Sequence, residues 1–465
     1  MFIALGVPLL ILPSIYDVSS IVWGLCIAVW SISVLQGFVQ NLAYGEMVTV
    51  FPRATGLPGC AQTVFTAEEK TSKYDKGKLI GAFSAWCYWF AWTPVVAIFT
   101  MLIGDYLIQM FEIDVLTSGW TGLFVYLGVG IVIVLLMLLL GSRGLEGGAT
   151  FGTILAIISI VPMVIILLGA FAVGMFDFNN ITTEFTTPTW TWGIQDIVLL
   201  LGCFGLAQWS ACAWETAAIY GPEYKEPGKD VPKALFGCGI ICLILYFFVS
   251  TTVFGSLGAT GIEDAGYASL VPISEQVFGH VGSYIALGLL IAAMVLIIQT
   301  GFLGSSRTLH SMAQEGNLPS WFSKLNKYGM PLNAMLFVSV FNMLLVAIVG
   351  YSAWIIESGD TVMTILSASA MGYCIANGIA LAAYVKTKTN ARFKDAERPF
   401  RAPRGWKYVI MVMCALQFFV WLPCLVYWSW YLSEGYTPAI LGAIIILVFI
   451  PIWFWVQGKG NAAAE

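Results

Sequence analysis

The sequence predicts an all-α polytopic membrane protein with 12 transmembrane helices, and three observations carry that reading. Of its 465 residues, 59% are hydrophobic and only 10% charged, and the mean hydropathy of +0.85 lies well beyond that of soluble domains. A membrane span needs about 20 apolar residues. Eleven stretches of that order can be read, roughly at 20–45, 79–104, 119–141, 147–175, 195–220, 233–257, 281–304, 333–352, 361–385, 406–430 and 437–457, after a shortened one at 1–16. Finally, all 21 Lys and Arg residues fall in alternate gaps between these stretches.

That alternation sets the orientation. Arg53, Lys70, Lys73, Lys76 and Lys78 share one gap, whereas the next, Asp105 to Gly119, has none. Arg143, the group Lys225, Lys229 and Lys233, the group Arg307, Lys324 and Lys327, the block from Lys386 to Lys407, and Lys459 follow, with a bare gap between each and the next. Cytoplasmic loops retain Lys and Arg because these residues resist translocation. The expectation is a multi-pass protein of the cell (plasma or inner) membrane with both termini cytoplasmic. The net charge of −5 says little about partners, and nothing in the chain resembles a nucleic-acid binder; the lipid bilayer is the expected partner, whose anionic headgroups the crowded bases could meet. The 10 Cys residues are scattered, without a CxxC pair. Cys238 and Cys242 share a helix face but lack the further ligands of a metal site, so small packing residues are the reading. No cofactor and no metal are expected.

The first stretch carries Gly6-Val7-Pro8 and Pro13 inside one apolar run, and Pro interrupts a helix because it lacks the N–H and clashes with the preceding turn. The sixth span is polar and small over Gln208-Trp209-Ser210-Ala211-Cys212-Ala213, followed by Trp214 and Glu215. Interrupted spans at corresponding positions of two halves point to a transporter site built from inverted repeats. Each feature alone also reads as a simple kink; five spans apart, together, they favour a discontinuous pair. The expected division is a first five-helix repeat at 1–175, a second inverted repeat at 195–385, and helices 11 and 12 at 406–457.

Four loops on the basic side carry further marks. Pro52 to Gly59 is turn chemistry after the second span. The others are Tyr220 to Lys233 after the sixth span, Ser306-Arg307 to Gly316-Asn317-Leu318-Pro319 after the eighth, and Arg398-Pro399-Phe400 before the eleventh. Together with Tyr44-Gly45-Glu46-Met47, Phe51-Pro52, Glu215, Glu223-Tyr224-Lys225-Glu226-Pro227, Pro232-Lys233-Ala234 and Gly329-Met330-Pro331, they resemble the amino acid–polyamine–organocation (APC) superfamily of transporters. The resemblance runs from about residue 5 to 460. It implies a LeuT-like 5+5 inverted-repeat fold plus two C-terminal helices, with helices 1 and 6 discontinuous. It also implies a secondary transporter whose substrate is an amino acid or related organic amine.

The resemblance places Gly6, Val7 and Pro8 at the helix-1 break, where relatives bind a substrate carboxylate through free N–H groups. Pro8 has no N–H and Val7 is bulkier than the usual Ser, which argues for a weaker or displaced anionic group. Only five residues precede Gly6, so the first half-helix is expected to be truncated. At the helix-6 break Trp209, Ser210, Ala211, Cys212 and Ala213 are substrate candidates, Trp209 either as a closing aromatic or as packing. Thr93 and Gln299 are polar additions, each also readable as a helix–helix hydrogen-bonding residue.

Glu215 reads either as a proton site or counter-charge for a cationic substrate, or as a structural acceptor at the second half-helix; its presence across the family favours the structural role. A charge there costs about 2.5–3.5 kcal/mol. Ser159 stands where some relatives carry a Lys, and with Thr300 it is the candidate for an ion site; the resemblance favours transport by alternating access with proton coupling or exchange, with Na⁺-coupled symport as the alternative. An enzyme is not expected: no HExxH, Gly-x-Ser-x-Gly or P-loop occurs, and His280 and His310 flank spans. A non-transporting membrane sensor is the remaining alternative.

Overall fold

A helix built of apolar residues satisfies its own backbone, the condition for crossing lipid, and every element among the described residues of this computed structural model is helical. The structure describes residues 2–52, 54–67, 74–113, 119–355, 361–433 and 435–462; Arg53, Lys70 and Lys73, used above for orientation, lie outside the described residues. Eleven segments are long and apolar enough to cross a membrane.

The first of these, Gly6–Val50, is two crossings joined by a turn. A 3₁₀ helix, Phe2–Leu10, runs into α1 (Ile11–Val22), and at Trp23 the backbone takes φ +49° before α2 (Cys26–Val50) returns. Because a 3₁₀ segment rises about 2.0 Å per residue against 1.5 Å in an α-helix, the short first stretch extends roughly 36 Å. Counted separately, these two restore the twelve spans read from sequence.

Next come α3 (Gly56–Phe65), α4 (Lys76–Trp92), α5 (Val95–Phe111), α6 (Gly119–Gly141), α7 (Leu145–Ala172) and α8 (Phe178–Thr183). α4 and α5 form one span kinked at Thr93-Pro94, where Pro94 lacks the N–H. The sixth span is α9 (Ile194–Ala211) followed by a second 3₁₀ helix, Ala213–Glu223. Then follow α10 (Pro227–Ala265), α11 (Leu270–Phe278), α12 (Val281–Gln314), α13 (Leu332–Trp354) and α14 (Thr361–Thr389). α15 (Trp406–Leu416) and α16 (Leu422–Ser433) are joined by a π-helical turn at Gln417–Trp421, and α17 (Thr437–Leu447) and α18 (Phe449–Ala462) make the last crossing.

Two boundaries differ from the sequence reading. Pro52 to Gly59 is a turn only as far as Thr55; from Gly56 it is α3, a buried helix packed on α4 and α14. Its residues lie too few for a span, and its apolar face is satisfied only by tertiary packing. α10 carries a break at Gly258 (φ +64°), a left-handed position that favours glycine. There Glu184 Oε2 accepts from Ala259 N at 2.6 Å and caps the short helix that follows.

The burial pattern sorts core helices from rim. In the most apolar window of α14 83% of the residues are buried, against 22% for α15–α16 and for α17–α18, so α14 is central and the last two spans are peripheral. Gly81 sets how closely α3 can approach α4, since a Cβ there would lie 2.7 Å from Gln62 Cα. Gly81→Ala is therefore expected to cost about 1–3 kcal/mol by forcing two backbones apart, read as a lower melting temperature in detergent; an unchanged melting temperature would show that α3 yields freely.

Long-range contacts gather the basic loops at one end. Lys78 Nζ reaches Gln457 Oε1 (3.2 Å), Arg392 Nη1 donates to Thr66 O (2.7 Å) and Asn326 Nδ2 to Ser142 O (2.8 Å). At the opposite end Gly24 N and Leu25 N donate to Glu184 O and Phe185 O (3.0 and 2.8 Å).

Candidate functional site at the register changes of helices 1 and 6

Neither interrupted span opens into extended chain. The first is 3₁₀ through Pro8 and becomes α-helical at Ile11, so its register change falls a turn later than Gly6–Pro8. The sixth is α-helical through Ser210 and Ala211 and becomes 3₁₀ after Cys212. Where the bonding pattern switches between i→i+3 and i→i+4, backbone groups are less completely used within the helix and can take side-chain partners.

Tyr246 of α10 supplies that partner to both. Its hydroxyl lies 2.7 Å from Ser210 Oγ and donates to Val7 O at 3.3 Å, and all three residues are buried. Trp30 of α2 stands edge-on to the Tyr246 ring at 5.6 Å. Cys212 Sγ donates to Ser33 O (3.2 Å), and Ala211 O accepts from Trp214 Nε1 (3.0 Å). Gly6 sits so close to α12 that a Cβ would lie 3.0 Å from Thr300 Oγ1. Val7, Ser210, Cys212, Gly6 and Thr300 thus converge, with Pro8 within the same 3₁₀ turn and Ala213 opening the other.

Glu215 lies one turn beyond, fully buried. Its Oε1 accepts from Tyr88 Oη of α4 at 3.3 Å. Tyr44 of α2 and Tyr373 of α14, both buried, are within electrostatic reach of the same carboxylate, and the Tyr373 hydroxyl stands close enough to donate to it. The carboxylate therefore faces tyrosine side chains from three helices and also meets backbone N–H of its own half-helix. Trp209 stacks on Trp92 at 5.4 Å and donates to Ala91 O at 2.9 Å. Both of its contacts are with α4, so packing accounts for them. Thr93 is buried beside this stack in sequence, its hydroxyl unpartnered.

Gln299 and Ser159 are drawn elsewhere, and the Thr300 hydroxyl, though beside Gly6, bonds its own helix. Gln299 donates to Gly148 O of α7 at 2.7 Å, which makes it a helix–helix linker and not part of the cluster around Tyr246. Ser159 donates to Leu155 O (2.8 Å) and Thr300 to Leu296 O (3.0 Å), each within its own helix.

Three arrangements were not read from the sequence. Tyr246 was hidden because a tyrosine in an apolar span carries no periodic signal. Asp17 of α1, fully buried, accepts from Tyr267 Oη at 2.9 Å; an acid just past the apolar run ending at Pro13 was the available clue. The third is a chain of buried amides: Gln36 Nε2 donates to Gln208 Oε1 (3.2 Å), and Gln208 and Gln417 exchange bonds of 3.0 and 2.6 Å. This ties the π-turn of the eleventh span to α9. Among the described residues no group of His, Cys, Asp or Glu could hold a metal.

The motif loops also find one another. Glu46, fully buried, is bonded by Lys388, by Arg398 Nη1 (2.8 Å), by Tyr384 Oη (3.2 Å) and by Ala402 N (3.0 Å). Phe400 covers Gly45, where a Cβ would lie 3.4 Å from its ring. Arg307 sits over the Tyr220 ring at 4.9 Å, and Asn317 joins Gln62 (2.7 Å) to Trp453 (3.0 Å).

Comparisons with known proteins agree with this architecture. The amino acid permease family model matches residues 2–464. An arginine/ornithine antiporter of Lactococcus lactis is 26% identical over 63% of this chain, a match spanning 60% of that protein's length. A probable lysine/arginine permease of Candida albicans is 23% identical over 91% of this chain and 74% of its own. The D-serine/D-alanine/glycine transporter of Escherichia coli is 22% identical over 83% and 77%. Among solved structures, a manganese transporter of Eremococcus coleocola superposes with TM-score 0.59 at 13% identity, covering 98% of this chain and 92% of that one, and shares the LeuT-like fold. With helical spans, motif loops and family model in register over nearly the whole length, the chain belongs to the amino acid permease family of multi-pass membrane transporters.

Proposed function

We propose that this protein is a secondary active transporter of an amino acid or related organic amine, working by alternating access with proton coupling or exchange. The observation that carries the reading is the Tyr246 hydroxyl, held between Val7 O and Ser210 Oγ where helices 1 and 6 change register. A substrate polar group that displaces this hydroxyl would release both half-helices from α10 at once, freeing one bundle to rock against the other. Val7 offers a carbonyl and Pro8 no donor, so this position suits a substrate ammonium. Glu215 is the acceptor for a coupling proton or a second positive charge. Exchange is supported by the arginine/ornithine antiporters among the relatives.

In this reading residues 1–175 and 195–385 are the two inverted repeats and 406–457 the added helices. The basic end faces the cytoplasm, as resistance of Lys and Arg to translocation requires, and both termini lie on that side. The hydroxyls of Ser159 and Thr300 are directed into their own helices, so sodium coupling has the weaker support.

The test is the purified chain in liposomes, offered arginine, ornithine, D-serine, glycine and putrescine with pH and Na⁺ gradients imposed separately. Uptake or counterflow of at least one is expected, responding to ΔpH or to internal substrate and not to Na⁺. Tyr246→Phe removes two hydrogen bonds and is expected to change transport about tenfold or more. Absence of any flux, or flux indifferent to Tyr246→Phe, would overturn the proposal.

A further inference from the structure

The charges carried by the helices of the central site narrow what it can hold. Residues 1–22, 199–222 and 234–261, which contain Val7, Ser210 and Tyr246, have no Lys, Arg or His, and their acids are Asp17 and Glu215. Residues 79–104 and 281–306, the parts of α4, α5 and α12 that pack on these helices, have neither charged residues nor His. Asp17 and Glu215 are fully buried, and they stand on opposite sides of the Tyr246 cluster. Asp17 lies ten positions beyond Val7, about 15 Å along the helix. It is held there by Tyr267, away from the basic loops. Glu215 lies toward Tyr220, over which Arg307 of the basic end sits.

We infer that the substrate of this site, located as in the transporter reading above on which this rests, is an organic amine without a carboxylate and not an α-amino acid.

A carboxylate shielded from water needs a cation or several converging donors. The sequence of these helices supplies no cation, and their donors are committed elsewhere. Pro8 has no N–H, and in the 3₁₀ helix Phe2–Leu10 the N–H groups of Gly6 and Val7 turn toward carbonyls three residues earlier. Tyr246 donates to Val7 O, Cys212 to Ser33 O, Trp214 to Ala211 O, Trp209 to Ala91 O and Thr300 to Leu296 O. Trp30 Nε1 and Ser33 Oγ have no partner, but each is a single neutral donor. An ammonium, by contrast, meets acceptors: Val7 O, the hydroxyl oxygens of Ser210 and Tyr246, and the Glu215 carboxylate one turn on. Buried carboxylates placed along a path without bases are counter-charges for a cation. When ionised, they repel the carboxylate that an amino acid would bring between them.

The experiment measures thermal stabilisation of the purified full chain by three matched pairs: cadaverine and lysine, putrescine and ornithine, agmatine and arginine. Within each pair the carboxylate is the only difference. At least one amine is expected to stabilise at a concentration about tenfold or more below its amino acid. Lysine methyl ester, which keeps the α-ammonium and masks the negative charge, is expected to act at concentrations nearer those of cadaverine than those of lysine. Glu215→Gln is expected to reduce the preference for the amine about fivefold. Amino acids that stabilise as well as their amines, an ester no better than lysine, a preference unchanged in Glu215→Gln, or no stabilisation by any of the seven compounds would overturn the inference. Counterflow of the same compounds in liposomes separates the two readings. Amino acids carried in preference to amines would sink this one alone, whereas amine binding without any flux would sink the transporter reading and leave this one standing.

Discussion

Glu46→Ala is expected to cost the protein about 3–5 kcal/mol of stability and to abolish transport, because it removes a buried carboxylate that two cations share. Lys388 and Arg398 both bond Glu46 Oε1, and Ala402 N bonds Oε2. Without the carboxylate, Arg398 keeps only the Thr387 and Phe393 carbonyls (2.8 and 3.2 Å), and a guanidinium shielded from water needs a counter-charge. The affected contact joins the end of α2 to the end of α14 and to the loop before α15. Thermal unfolding in detergent measures the loss. Lys388→Ala should cost much less, since Arg398 still neutralises Glu46. Equal losses for the two variants, or a Glu46→Ala protein as stable as the parent, would show that the cluster is dispensable.

Glu215→Gln is expected to separate movement from coupling. Glutamine preserves volume and can still accept from Tyr88, so counterflow should persist. A carboxamide takes up no proton, so accumulation driven by an imposed pH gradient should fall by about tenfold or more. Accumulation that survives the substitution would remove Glu215 from the coupling step and return it to a structural role. Tyr88→Phe is the companion: it removes one donor from the carboxylate, and an effect as large as that of Glu215→Gln would point to closure of the path by the tyrosines rather than to the proton itself.

Much of the molecule was legible from its residues. The apolar stretches at 119–141, 281–304, 333–352 and 406–430 coincide with helices to within a few residues except where α12 continues beyond its apolar run to Gln314. That is expected, because hydropathy reports the part of a helix inside lipid and not where its hydrogen bonding ends. Pro8 and the polar run at 208–213 correctly marked spans whose backbone departs from the α pattern. Where the departure falls was not legible: the change at Leu10–Ile11 depends on packing of the 3₁₀ turn against α12 and on Tyr246, a partner more than 200 positions away.

The pattern of charge and apolarity along the chain determined by itself the number of crossings and the fold class, because lipid admits few backbone solutions and each leaves a plain compositional trace. Only the tertiary structure decided which polar residues meet. Glu46 and Arg398, Ser210 and Tyr246, Asn317 and Trp453 are brought together across long separations by helix packing, and a hydrogen bond between side chains leaves no periodic mark in either segment. The same packing turned Gln299 toward α7 and Trp209 onto α4, since the facing of one side chain in a helix buried on most sides is fixed by its neighbours and not by its own sequence.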